Sequence, residues 1–258
     1  MMPRKIAGPL IFLLSFALIH PLGAQDSQPH QWTSDRADAK APASITEDRI
    51  LPKGAFRLGV RYLYSGMSGQ GFGTDSLTVD QVLTQFDVAP EEMSTQGFAL
   101  DFAWGVTSRV TLTATGTFAQ KTMDHLTGLE GQPNAYLFYK TEASGIQDVK
   151  VNALYDVLSR GALRFHVFGG VSVPIGAIDA NDVTPFSDPE AAQLPCTQQM
   201  GSGTFDLSPG FSFNLQNKKA SLGLQARATV RLGENDRGWA LGDMFATNLW
   251  AGFNASDW

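Results

Sequence analysis

The sequence predicts an all-β fold, an antiparallel transmembrane β-barrel with about eight strands present. Three observations lead there. Long runs alternate apolar and polar residues with period two, as strands do when successive side chains point to opposite faces. Beyond the N-terminus no apolar run is long enough for a membrane-crossing helix, so any crossing is made by strands. The connections alternate long and short, as in barrels with short periplasmic turns and long external loops; a Greek-key sandwich has no reason to keep that rhythm.

The hairpin from Gly201 to Leu232 shows the pattern best. Phe205, Leu207, Pro209, Phe211, Phe213 and Leu215 alternate with Asp206, Ser208, Gly210, Ser212 and Asn214. A polar turn, Gln216 to Lys219, follows. Leu222, Leu224, Ala226, Ala228, Val230 and Leu232 then alternate with Ser221, Gly223, Gln225, Arg227, Thr229 and Arg231. Each run exceeds the ~5–6 residues of an ordinary strand and fits the ~9–11 tilted residues that cross a bilayer.

Composition agrees. Hydrophobic residues make up 43% of the 258 and charged residues only 17%, with 26 glycines, which suits a wall with an uncharged lipid belt. Arg4 and Lys5, the apolar stretch Ile11 to Ile19, and Leu22-Gly23-Ala24 have the order of a cleaved secretory signal over residues 1–24. The expected location is therefore the outer membrane of a Gram-negative bacterium. Residues 1–24 hold two basic and no acidic residues, so the rest has 17 basic against 25 acidic residues, net −8. That balance argues against nucleic acid as a partner and leaves membrane lipid and a small solute. The single cysteine, Cys196, forms no internal disulfide and reads as an incidental loop thiol.

Taken in order, residues 25–53 are polar, hold three prolines and lack alternation, which predicts a periplasmic or disordered extension. The barrel is expected over 54–258. Its first strand sets Phe56, Leu58, Val60, Tyr62 and Tyr64 against Arg57, Gly59 and Arg61. A long loop spans 65–92, with helical spacing at Val79, Val82, Leu83 and Phe86 after an N-cap at Asp75 or Ser76. The second strand sets Phe98, Leu100, Phe102, Trp104 and Val106 against Gly97, Ala99, Asp101 and Ala103. After Thr107-Ser108, the third sets Val110, Leu112, Ala114, Gly116 and Phe118 against four threonines. A loop at 121–144 leads to the fourth, with Val149, Val151, Ala153, Tyr155 and Val157 opposite Asp148, Lys150, Asn152 and Asp156. The fifth carries Leu163, Phe165, Val167, Val171, Val173 and Ile175 opposite Arg164, His166, Gly170 and Ser172. Loops at 176–200 and 233–242 flank the hairpin of strands six and seven. An eighth strand, about Asp243 to Asn254, alternates weakly. Because a barrel must close and Asn254 to Asp257 reads as a turn, the chain is expected to be truncated at its C-terminus from a larger barrel.

Several words of the sequence resemble a known family. They are Met123-Asp124-His125-Leu126-Thr127, Ser144 to Lys150, Val173-Pro174-Ile175-Gly176, Gly201 to Gly210 (GSGTFDLSPG, the most specific) and Asn235 to Asp243. Together they resemble the outer-membrane "transporter" family named for the MetA (meta-cleavage) pathway of phenol degradation, over most of 54–258. Gly145-Ile146-Gln147-Asp148 departs from the Gly-Leu-Gly-Asp frequent there, and Cys196 stands where a Tyr is expected. The resemblance implies a porin-like barrel linked with uptake of small, often aromatic or hydrophobic, compounds. It also implies a chain that continues past residue 258.

The inward positions carry the candidate site: Arg57, Arg61, Asp101, Asp148, Lys150, Asp156, Arg164, His166, Asp206, Arg227 and Arg231. Such charges either pair in a structural network or form a constriction that selects solutes. Catalysis is not expected: of His30, His125 and His166 only the last lies on the inward face, and no Gly-x-Ser-x-Gly elbow accompanies it. Met123, Asp124 and His125 offer copper-type ligands in one loop, but three adjacent residues rarely close a site. The expected function is a channel or transporter passing small molecules by diffusion, without cofactor or metal. The alternatives are a non-conducting surface barrel whose long loops bind a partner, and a lipid-modifying barrel enzyme.

Overall fold

The computed structural model describes residues 30–129 and 135–254. The expected signal at 1–24 and the last residues of the expected truncation point, 255–258, lie outside them. Among the described residues no helix is long and apolar enough to cross a membrane.

The chain folds into one main antiparallel sheet in eight lanes. The first lane is β1 (Phe56–Ser68). A small hairpin, β2 (Gln70–Phe72) and β3 (Asp75–Leu77), and a short helix α1 (Val79–Leu83) lead to β4 (Ala89–Gly105), which pairs with β1. β5 (Val110–Gly128) pairs with β4. Next come β6 (Tyr136–Ile146) and β7 (Val149–Arg160), laid end to end along β5: β6 faces Phe118 to Gly128 and β7 faces Val110 to Thr115. β8 (Leu163–Val173) pairs with β7. After the small hairpin β9 (Asn181–Val183) and β10 (Ala191–Gln193), β11 (Asp206–Leu207) and β12 (Gly210–Gln216) form one lane between β8 and β13 (Ala220–Arg231). β14 (Met244–Phe253) completes the sheet against β13.

The break between β11 and β12 has a simple cause. Pro209 has no N–H to give the ladder. The register survives it, with Asp206 facing Ser172 and Gly210 facing Phe168. The Pro209 carbonyl still accepts from Ala228 N at 2.9 Å.

Eight lanes match the expected strand number, but their lengths do not match. The expected loop at 65–92 gives up its ends to β1 and β4. The expected loop at 121–144 is largely the β5–β6 pair, and that at 176–200 contains β9 and β10. These upper parts were missed because both of their faces are mixed, so no clean alternation marks them. The helix lies where the spacing puts it, but its cap is Thr78: Thr78 Oγ1 accepts from Gln81 N, and Gln81 Oε1 accepts from Thr78 N at 2.8 Å.

The sheet is inverted relative to a soluble one. Its apolar face is open: Phe56, Leu58 and Val60 are 67%, 71% and 69% exposed. Its polar face is buried, with Gln225 and Ser212 fully covered and His166 nearly so.

What covers that face is the largest departure from expectation. Residues 30–53, part of the stretch expected as a periplasmic or disordered extension, lie against the polar side of the sheet. Low hydrophobicity does not reveal this, because the segment is held by hydrogen bonds to inward side chains and not by apolar burial. Adjacent residues Glu47 and Asp48 reach Arg57 on β1, Thr113 on β5, Asn152 on β7, His166 on β8, Ser212 and Asn214 on β12, and Arg227 on β13. Two neighbouring residues touch all these lanes only if the sheet curves around them.

Close packing also seals the last hairpin. Gly223 faces Trp250 across β13 and β14, and a Cβ at Gly223 would overlap the indole ring. Gly223→Val is expected to destabilise the fold by about 1–3 kcal/mol or more. Urea unfolding followed by tryptophan fluorescence checks this; an unchanged midpoint would show that Trp250 moves aside freely.

Candidate functional site

The polar face and the segment that fills it form the candidate site. The segment enters at the end of the sheet that carries the short turns. There Trp32 N donates to Gly161 O at 3.1 Å and Thr33 N to Gln216 Oε1 at 2.7 Å. Arg36 pairs with Asp38 and donates to Asn217 O at 2.6 Å, and Ser221 Oγ donates to Asp38 O. The chain rises to Glu47 and returns. Leu51 N then donates to Thr111 Oγ1 at 2.8 Å and Gly54 N to Gly105 O at 2.7 Å, which delivers the chain to β1.

Glu47 is the apex. Its backbone is left-handed, at φ 56°, a conformation that costs a side-chain-bearing residue free energy and needs support from its surroundings. The support is visible. Its carbonyl accepts from His166 Nε2 at 2.8 Å and Ser212 Oγ at 3.0 Å. Its carboxylate accepts from Asn152 Nδ2 at 3.3 Å and Thr113 Oγ1 at 3.4 Å, and lies 3.7 Å from Arg227 Nη1. Because a carbonyl only accepts, His166 carries a proton on Nε2.

Above the apex, towards the long loops, lies a cavity of about 390 Å³. Glu47 floors it, and Arg61, Lys150, Arg227 and Arg231 stand in its wall. Most expected inward charges are paired. Arg61 grips Asp101 with two hydrogen bonds, at 2.5 and 2.8 Å, and Thr115 Oγ1 donates to the same carboxylate at 2.8 Å. Arg231 pairs with Asp206, which also accepts from Thr204 Oγ1 at 2.9 Å. Arg57 pairs with Asp48 at 2.8 Å.

The remaining candidates divide between the two ends. Asp148 accepts from Gly176 N, Ser202 N and Ser202 Oγ at 2.7–3.0 Å, which ties down the connection after β8. Asp156 accepts from Ser159 Oγ at 2.8 Å, beside a bulge in β7. Arg164 donates to Gly161 O and Leu163 O and sits 5.3 Å over the Trp32 ring. Lys150 is the exception: it makes no hydrogen bond or ion pair with a described residue. Buried Arg231 Nε likewise has no acceptor.

Sequence reasoning missed Glu47 and Asp48, which organise the interior. Neither lies on a periodic run, so the only signal was an acidic pair just before Arg49 in a stretch otherwise read as a periplasmic or disordered extension. It also misplaced Met123, Asp124 and His125. They lie in β5 and not in a loop, and alternation sends Asp124 outward to Lys140, at 3.2 Å, away from the other two. Cys196 is exposed in a single 3₁₀ turn, Cys196–Gln198.

Among protein-family models none matches the chain, and a search of curated proteins finds no significant match.

Proposed function

We propose that the chain forms a Gram-negative outer-membrane β-barrel, a channel for small molecules whose interior is occupied by its own residues 30–53. The observation that carries this reading is the inverted sheet: an open apolar face on every lane and a buried polar face. In water such a face would drive aggregation; in a bilayer it is the lipid contact. Aromatic residues cluster towards both ends of the apolar belt, Phe56 and Trp104 at the short-turn end and Tyr62 and Phe98 at the other, as interfacial girdles do. The reach of Glu47 and Asp48 across six lanes supports a sheet rolled around a polar interior. The solute class, small and often aromatic or hydrophobic compounds, rests on the family resemblance alone.

The test is conductance of the mature protein in planar lipid bilayers, with and without residues 30–53. A folded protein that passes no current in either form would overturn the channel reading. It would favour a surface barrel that binds a partner, a reading supported by the extension of β5 and β6 beyond the apolar belt.

The charge of Lys150 sets a further expectation. Without an ion-pair partner among the described residues, and near Arg227 and Arg231, it should make the open pore prefer anions. Lys150→Glu is expected to shift the reversal potential under a KCl gradient towards cation selectivity, by on the order of tens of millivolts. An unchanged reversal potential would remove Lys150 from the conducting path.

A further inference from the structure

One row of paired residues crosses six neighbouring strands above Glu47. Asp101 faces Thr115, Thr115 faces Lys150, Lys150 faces Ser172, Ser172 faces Asp206 and Asp206 faces Arg231. Residues directly opposite in a ladder point to the same side, so the row shares the polar face. Thr115, Lys150, Ser172 and Arg231 line the cavity of about 390 Å³.

The charges of that cavity do not balance. Its wall holds five cationic side chains, Arg61, Lys121, Lys150, Arg227 and Arg231. Arg61 is neutralised by Asp101 and Arg231 by Asp206. Lys121 donates to the Thr197 and Gln199 carbonyls, at 2.9 and 2.6 Å. Arg227 lies 3.7 Å from the Glu47 carboxylate, an ion pair without a hydrogen bond. Lys150 is partly buried, makes no hydrogen bond or ion pair with a described residue, and lies within electrostatic reach of both Arg227 and Arg231. The other carboxylate of the wall, Asp148, is already engaged by Gly176 N, Ser202 N and Ser202 Oγ. An ammonium sheltered from bulk water beside two guanidiniums is stabilised by an anion that it can hydrogen-bond. The space around it is rich in hydroxyls. Thr117, Ser172 and Thr229 line it, and none of their hydroxyls bonds a described residue. Glu47 forms the floor, so a second negative charge on the same ligand would be repelled there.

We propose that this cavity binds a small hydroxylated carboxylate with a single negative charge, its carboxylate held by Lys150 beside Arg227 and its hydroxyls by the threonine and serine side chains of the wall. The inference rests on the reading of the polar face as an interior that solute can enter. It gives that interior a ligand class of its own, hydrophilic and anionic, set by the residues of one row and not by the apolar belt.

The experiment is calorimetric titration of the mature full-length protein in phosphatidylcholine nanodiscs at low ionic strength, with empty nanodiscs subtracted. The probes are three six-carbon chains that differ in charge: sorbitol with none, gluconate with one and glucarate with two. The wild type is expected to bind gluconate about tenfold more tightly than sorbitol, the scale of one charge-assisted hydrogen bond. Glucarate should bind less tightly than gluconate, because its second carboxylate meets Glu47. Lys150→Gln, which strands no partner, should abolish the preference for gluconate over sorbitol. Lys219→Gln removes the same charge from the exposed turn between β12 and β13 and should leave the preference unchanged. Heat-dependent gel mobility checks that each variant is folded; if Lys150→Gln is not, the order of the three probes on the wild type decides. Equal affinity for gluconate and sorbitol would overturn the proposal, and so would tighter binding of glucarate than of gluconate. A preference that survives in folded Lys150→Gln, or is lost in folded Lys219→Gln, would do the same. Since the titration does not read current, a protein that conducts but binds the probes alike overturns this proposal alone. One that prefers gluconate but passes no current overturns the channel alone.

Discussion

Deletion of residues 30–53 is expected to raise single-channel conductance in planar bilayers by about tenfold or more, because it empties the interior of a chain segment that spans its polar side chains. The wall should survive. The segment bonds to the backbone of the sheet mainly near its start, through Trp32 to Gly161, and the bond of Gly54 to Gly105 lies just beyond it and stays. In the middle it touches side chains: His166, Ser212, Asn214 and Gln225 on the wall. Water can replace a partner for each of these once the interior is wet, so the ladder between lanes stays intact. A smaller change isolates the apex. Glu47→Ala removes the contacts to Thr113, Asn152 and Arg227 but keeps the carbonyl that His166 and Ser212 hold, so brief openings should replace a steady open state. If the folded deletion variant conducts like the full protein, residues 30–53 are not what limits passage.

Asp206→Ala is expected to cost about 3–5 kcal/mol, because it strands a charge and does more than delete a contact. Asp206 is 1% exposed and pairs with Arg231, whose side chain is only 16% exposed. Removing the carboxylate leaves that guanidinium without its ion-pair partner and close to the ammonium of Lys150, while Thr204 Oγ1 also loses its acceptor. The pair lies in the lane interrupted by Pro209, where β11 is only two residues long, so little else holds that part of the sheet. Asp206→Ala with Arg231→Ala should recover much of the loss, since the stranded charge is then gone. Urea titration of the two single variants and the double variant measures it. Purely additive costs would show that the two side chains act independently and would sink the account.

The lanes of the sheet were legible because alternation is written residue by residue. Leu222 to Arg231 could be assigned to faces before any contact was known, and so could the inward set from Arg57 to Arg231. The pairing of those charges was not legible. Arg61 meets Asp101 because β1 and β4 run side by side in one register, Gly59 facing Asp101. Arg57, four residues before Arg61 in sequence, instead turns to Asp48. Parity places both arginines inward and cannot distinguish them.

The sequence by itself determined an antiparallel all-β chain of about eight strands, with apolar and polar faces assigned to each strand and a set of inward charges. These follow from the two-residue repeat of a strand, which is a local property. Only the tertiary structure decided that residues 30–53 fill the polar side, that Glu47 is their apex, and that Lys150 has no ion-pair partner among the described residues. Those outcomes depend on how far the sheet curves and which lanes come within hydrogen-bond reach of one point. Curvature is the sum of many small twists between neighbouring strands, and no short stretch of sequence contains it.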